Sequence, residues 1–173
     1  MISPLFHVAS LRDQVPVFER NADKLWERLR GEYTQPGVAS RGMDMQDFCM
    51  RFTLDSFAEI GFGVQLNSIE QERNDFARAL DVVQTITQRR GRKGNLWPLF
   101  EKIRPETEFQ ESLRYLNEVI ESIIRQRMSL EEEILRASTD ALSQVLVESM
   151  NRSNPYSLTE LRDFVMNFLL AGR

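Results

Sequence analysis

Phe109-Gln110-Glu111-Ser112-Leu113-Arg114-Tyr115-Leu116-Asn117-Glu118-Val119-Ile120-Glu121-Ser122-Ile123 carries apolar side chains at positions 109, 113, 116, 120 and 123. Steps of 4 and 3 keep one face of a 3.6-residue helix apolar, and Glu and Arg fill the other. The pattern predicts a helix reaching about Arg127. Every other periodic stretch has the same period, and none alternates over more than a few residues, so the chain reads as all-α.

On the N-terminal side, Leu11, Val15, Phe18, Ala22, Leu25 and Leu29 predict a first helix with these residues inward. Ser10 is its expected cap, Pro16 bends it slightly, and Gly31 with Thr34-Gln35-Pro36-Gly37 ends it. Asp44 caps a second helix with Met45, Phe48, Cys49, Phe52, Ser56 and Ile60 inward and a stop at Gly61-Phe62-Gly63. Asn74 to Gln88 forms a third, with Phe76, Leu80, Val83 and Thr87 inward. Arg89-Arg90-Gly91-Arg92-Lys93-Gly94 is its expected break, and Leu96, Trp97, Leu99 and Phe100 then cluster. On the C-terminal side, Ser129-Leu130-Glu131-Glu132 opens an acidic linker, and Leu142, Val145, Leu146 and Met150 line a short helix closed by Asn151 to Pro155. Ser157-Leu158-Thr159-Glu160 is a capping box for a last helix with Leu161, Phe164, Val165, Phe168 and Leu169 inward.

Only 8 glycines and 6 prolines occur in 173 residues, which fits long uninterrupted elements, and 42% hydrophobic residues suffice for a core. The net charge of −4 gives no reason to expect a nucleic-acid partner. The single cysteine excludes an internal disulfide. The longest apolar stretch, Phe164 to Gly172, is about half of the roughly 20 residues a membrane span requires. Met1 to His7 has neither a basic n-region nor an apolar h-region, and the chain stops at Ala171-Gly172-Arg173 inside an apolar helix. Both ends therefore read as the interior of a longer chain.

Candidate reactive groups are few. His7, the one imidazole, lacks partners at metal or triad spacing and reads as a surface histidine. Cys49 falls on the predicted apolar face, where a thiol packs as a small hydrophobe. The run from Arg89 to Lys93 reads as a solvated basic turn. Glu27/Arg30, Glu70/Arg73, Glu111/Arg114 and Glu133/Arg136 read as exposed helix-surface ion pairs. Gly61-Phe62-Gly63 lacks the third glycine of a dinucleotide fingerprint and reads as a turn.

Four stretches, in order, resemble the cytochrome P-450 family of haem-thiolate monooxygenases. Leu161-Arg162-Asp163-Phe164-Val165-Met166-Asn167-Phe168-Leu169-Leu170-Ala171-Gly172-Arg173 resembles the first half of that family's long I helix. Ser3-Pro4-Leu5-Phe6 with Leu11-Arg12-Asp13 is similar to the end of helix C and the run into helix D. Residues 47–63, from Asp47-Phe48-Cys49 to Gly61-Phe62-Gly63, resemble helix E of the fatty-acid and alkane hydroxylase branch, and Asp140-Ala141-Leu142-Ser143 its helix H segment.

The resemblance implies an all-α fold in which residues 1–173 form a partial P-450 domain, from the end of helix C to the middle of helix I. The family's N-terminal anchor region and C-terminal haem-binding region, with its cysteine thiolate, then lie outside this chain. Ala171 and Gly172 are implied to shape the oxygen groove, and Asn167, Phe168, Leu96, Trp97 and Phe100 to approach substrate. No metal ligand is implied in this chain, and no haem is expected to stay bound to it alone. The parent enzyme implied takes haem iron, O2, a small apolar substrate and electrons from a reductase, at the cytosolic face of the endoplasmic reticulum membrane. The segment is expected to self-associate through apolar faces left open. A stand-alone helical interaction module without catalytic activity is the rival expectation.

Overall fold

The central helix of the fold is the one predicted from Phe109 onward: it runs Thr107–Met128, and Leu116, Ile120 and Ile124 are wholly buried along one side. Burying each of these side chains is worth about 1.5–3 kcal/mol. The computed structural model describes residues 8–36, 42–93 and 107–172. Within them lie α1 (Val8–Tyr33), α2 (Met45–Phe62), α3 (Asp75–Lys93), α4 (Thr107–Met128), α5 (Glu132–Ala137), α6 (Ala141–Met150) and α7 (Leu158–Ala171). No strand occurs among the described residues. Helix α4 packs on α3, α6 and α7, while α2 packs on α1, α6 and α7, so α7 is held between the two halves of the bundle.

Local chemistry sets the helix ends. The Asp44 carboxylate accepts from the Asp47 amide, and the Asn74 side chain accepts from the Ala77 amide at 2.9 Å, so each caps the helix that follows. Gly63 closes α2 in the left-handed conformation, φ 62°, and returns its N–H to Glu59 at 2.8 Å. The Arg127 guanidinium lies where a Gly63 side chain would stand, donating to the Phe62 carbonyl and pairing with Asp140 at 3.4 Å. Between α2 and α3, the buried Asp55 carboxylate accepts the amides of Ser68 and Ile69, both at 2.9 Å. Arg51 donates to the carbonyls of Ser68 and Gln71 at 2.7 Å, and Arg28 to those of Ile69 and Gln71.

The structure corrects several expectations. Helix α1 begins before Ser10, which is therefore not its cap, and continues past Gly31 to Tyr33. Val15 and Ala22 are exposed rather than inward. The side turned to α2 carries Phe18, Asn21 and Arg28, because Asn21 donates to Ser56 in a buried pair and Arg28 lies over the Phe48 ring. Periodicity located the helix; those polar contacts rotate it. Cys49 is exposed, not packed, and so is Met45, since the buried side of α2 at this level is that of Phe48. Thr87 and Met150 also face solvent.

The basic run does not break α3, which continues through Gly91 to Lys93. Glycine disfavours a helix by only about 1 kcal/mol, and Arg90 lies 4.0 Å over the Phe109 ring. The acidic linker is the short helix α5, anchored by the buried Leu135. None of the four expected three-residue ion pairs forms among the described contacts. Arg136 pairs with Glu132 and Glu70 with Lys24; Arg28–Glu32, Arg51–Asp47 and Arg125–Glu121 pair four residues apart within their helices, and Arg162 pairs with the adjacent Asp163. His7, Leu96, Trp97, Leu99, Phe100 and the Leu11 side chain lie outside the described residues.

Candidate functional site on helix α7

Helix α7 starts with the predicted capping box. The Glu160 amide donates to the Ser157 hydroxyl oxygen at 3.3 Å, and the Glu160 carboxylate accepts the Ser157 N–H at 2.8 Å and its hydroxyl at 2.7 Å. The Ser157 N–H first, and its hydroxyl second, hold the Glu160 carboxyl below its ordinary pKa. Leu161, Val165 and Leu169, spaced by four, are buried in the common core. Arg162 reaches Glu121 of α4 at 3.6 Å.

A second side of α7 meets α2. Phe168 lies among Phe57, Phe62 and Phe164, with ring centroids 5.8, 5.6 and 6.2 Å away. Gly172 presses its backbone against the Phe57 ring. The third side carries Asp163, Asn167 and Ala171, all exposed and at steps of four. Of the residues expected at the site, Asn167 and Ala171 share this uncovered side. Phe168 and Gly172 turn instead toward α2.

Phe57 and Gly61 on α2 are not among the residues expected at the site, although they pack against Phe168 and Gly172 at the end of α7. The signal was present as Phe-x-x-x-Gly at 57–61, repeated at 168–172. Surface hollows of about 250–340 Å³ occur elsewhere, one between α4 and α7 beside Arg114, Glu118 and Arg162 and another beside Asp13, Glu59 and Asp140. Their charged linings suit solvent rather than an apolar ligand.

The residues present do not fit a haem-thiolate site. Cys49 is the one thiol, and it stands exposed about 12 Å along the α2 axis from the level of Phe57. No group of three His, Cys, Asp or Glu side chains able to hold a metal ion occurs among the described residues. No helix among the described residues is long and apolar enough to cross a membrane.

Helix α7 is thus packed on α4 and α2 and exposed at Asp163, Asn167 and Ala171. The family description Cytochrome P450 fits residues 1–173. The chain belongs to the cytochrome P450 family. It is 31% identical to cytochrome P450 704B1 of Arabidopsis thaliana over 185 positions, covering 97% of this chain and 34% of that protein. With cytochrome P450 704C1 of Pinus taeda it shares 29% over 170 positions, or 91% of this chain and 32% of the relative. The crystal structure of the cytochrome P450DA heme domain superposes with a TM-score of 0.72 at 22% identity, covering 98% of this chain and 34% of that one. At that identity the likeness is one of fold alone. The chain thus spans about a third of the length of the curated relatives it matches.

Proposed function

We propose that residues 1–173 form the central helical segment, from the end of helix C to the middle of helix I, of a haem-thiolate monooxygenase. The whole enzyme inserts one atom of O2 into a C–H bond of a fatty-acid-like or other apolar substrate, with electrons from a reductase, at the cytosolic face of the endoplasmic reticulum. Haem belongs to that whole enzyme, where a cysteine thiolate outside residues 1–173 would hold it and it would supply the chemistry that activates O2; this segment is expected to bind none alone. The observation that carries the reading is the family match along all 173 residues. Under it, the uncovered side of α7 is the segment's contribution to the pocket. Ala171 leaves room for dioxygen on that side, Gly172 beyond it is packed on the Phe57 ring, and Asn167 lies one turn earlier toward the substrate. Leu96, Trp97 and Phe100 are proposed near the substrate entrance, and Phe168 supports the pocket from behind. The stand-alone interaction module is not favoured, because the match runs through every element of the chain.

Two experiments test this. Residues 1–173 expressed with haem and a reductase should give no thiolate-type carbon-monoxide difference band, should not hydroxylate lauric acid, and should self-associate on size exclusion. A monodisperse monomer that hydroxylates the acid would overturn the reading. In the second, residues 1–173 replace the matching third of cytochrome P450 704B1. The chimaera should load haem and show the carbon-monoxide band, and Ala171→Leu should weaken ligand-induced spectral shifts. A chimaera that folds and loads haem, but responds to ligand identically with Leu at 171, would remove α7 from the pocket.

A further inference from the structure

Phe57-Ala58-Glu59-Ile60-Gly61 on α2 and Phe168-Leu169-Leu170-Ala171-Gly172 at the end of α7 are two copies of one pattern, Phe-x-x-x-Gly. In the folded chain they pair crosswise. A Cβ on Gly61 would stand 2.7 and 2.8 Å from two ring carbons of Phe168, and one on Gly172 would overlap the Phe57 ring. Pairing 57 with 172 and 61 with 168 requires the helices to run antiparallel in a single register. The two rings meet between the glycines with centroids 5.8 Å apart, tilted by 55°.

Neither ring can turn aside freely. Phe168 is bounded by Phe62 and Phe164, and Phe57 by Phe18 at 6.4 Å. Gly61 is buried in regular helix, where alanine is intrinsically the better residue. Its presence is accounted for by the close approach of Phe168. Gly91 in α3 provides the contrast, because nothing lies within 4 Å of where its Cβ would stand.

We propose that these repeats are a reciprocal lock that fixes the register and rotation of α7 on α2. Phe57 and Phe168 are positioning residues that turn the Asn167 and Ala171 side away from α2. That this freed side serves a ligand pocket rests on the proposed monooxygenase role; the lock itself does not.

The test uses the full 173-residue chain and thermal unfolding followed by circular dichroism. Gly61→Ala should lower the melting temperature when Phe168 is present and raise it in a Phe168→Leu background, while Gly91→Ala should raise it in both. A Gly61→Ala variant that melts higher with Phe168 in place, or that loses equally in both backgrounds, overturns the lock. Should Gly61→Ala alone fail to fold, the double variant decides. A folded double supports the lock, and an unfolded double beside a folded Phe168→Leu overturns it.

Rotation is read separately by thiol labelling in a Cys49→Ser background. Asn167→Cys should react about tenfold or more faster than Leu169→Cys, which is shielded from solvent. Gly61→Ala should narrow that ratio and added Phe168→Leu should restore it; an unchanged ratio shows that the pair does not position α7. Failure of the monooxygenase role would appear as a folded chimaera without haem and would leave these measurements unaffected.

Discussion

Arg127 of α4 donates from Nε and Nη2 to the carbonyl oxygen of Phe62, 65 residues earlier, at 3.1 and 2.9 Å. That carbonyl is at the C-terminal end of α2, where backbone acceptors lack helical partners and a cation is favoured. The same guanidinium touches Asp140, the cap of α6, so one side chain joins three helices. Arg127→Met should destabilise the chain by about 1.5–3 kcal/mol, the range for charge-assisted hydrogen bonds, measured by urea unfolding. Arg127→Lys should recover little of this, because an ammonium cannot offer the fixed two-pronged donor. Gly63→Ala should be at least as costly, since it combines a positive φ with displacement of that guanidinium.

The capping box makes α7 sensitive to acid. The Glu160 carboxyl is held below its ordinary value by Ser157. Its ionised form is therefore favoured by folding, and its contribution is present above the unfolded carboxylate pKa and lost as pH falls through the lowered folded value. Melting curves of the native chain and Glu160→Gln should differ at neutral pH and converge as the medium becomes acidic. Curves separated equally at every pH would show that the carboxylate charge contributes nothing.

Cys49 should behave as a surface thiol. It is expected to react stoichiometrically with a thiol reagent in the folded chain, and Cys49→Ser should change stability by no more than about 0.5 kcal/mol. A thiol that reacts only after denaturant is added would place it in the core after all. Haem uptake by the chimaera should be unaffected by the same change.

The Asp55 carboxylate accepts two backbone amides of the α2–α3 connection. Asp55→Asn keeps one acceptor and turns the other into a donor facing an N–H. The expected cost is about 1–3 kcal/mol for the buried group left unpaired, seen as a lower urea midpoint with native far-ultraviolet dichroism retained. Asp55→Ala should cost at least as much.

Much of this architecture can be read from residue spacing. Phe109 to Ile123 and Leu161 to Leu169 announce their helices because their buried faces are continuous and apolar. The capping box at Ser157 is equally local, since its partners are three residues apart. What spacing could not supply is direction. Val15 and Ala22 fit the period of α1, yet the helix turns Asn21 and Arg28 to α2 because their partners, Ser56 and Phe48, lie far away in sequence. The packing of Phe168 also depends on Gly61, whose importance no pattern within either helix alone reveals. Likeness to a known family supplied the expectation that the α7 residues matter; the geometry shows that Asn167 and Ala171 face one way and Phe168 and Gly172 another.

The α2–α3 connection has no regular secondary structure at Ser68 and Ile69, yet the amides of both residues are buried and donate to Asp55, and carbonyls around them receive Arg51 and Arg28. Such amides exchange with solvent deuterium only when the surrounding structure opens. Ser68 and Ile69 should therefore retain hydrogen about as long as the middle of α4, while Gln71 and Glu72, exposed and giving no amide hydrogen bond among the described contacts, exchange early. The slowest-opening unit of the molecule then extends beyond its helices, into an irregular connection ordered by one carboxylate and two guanidinium groups.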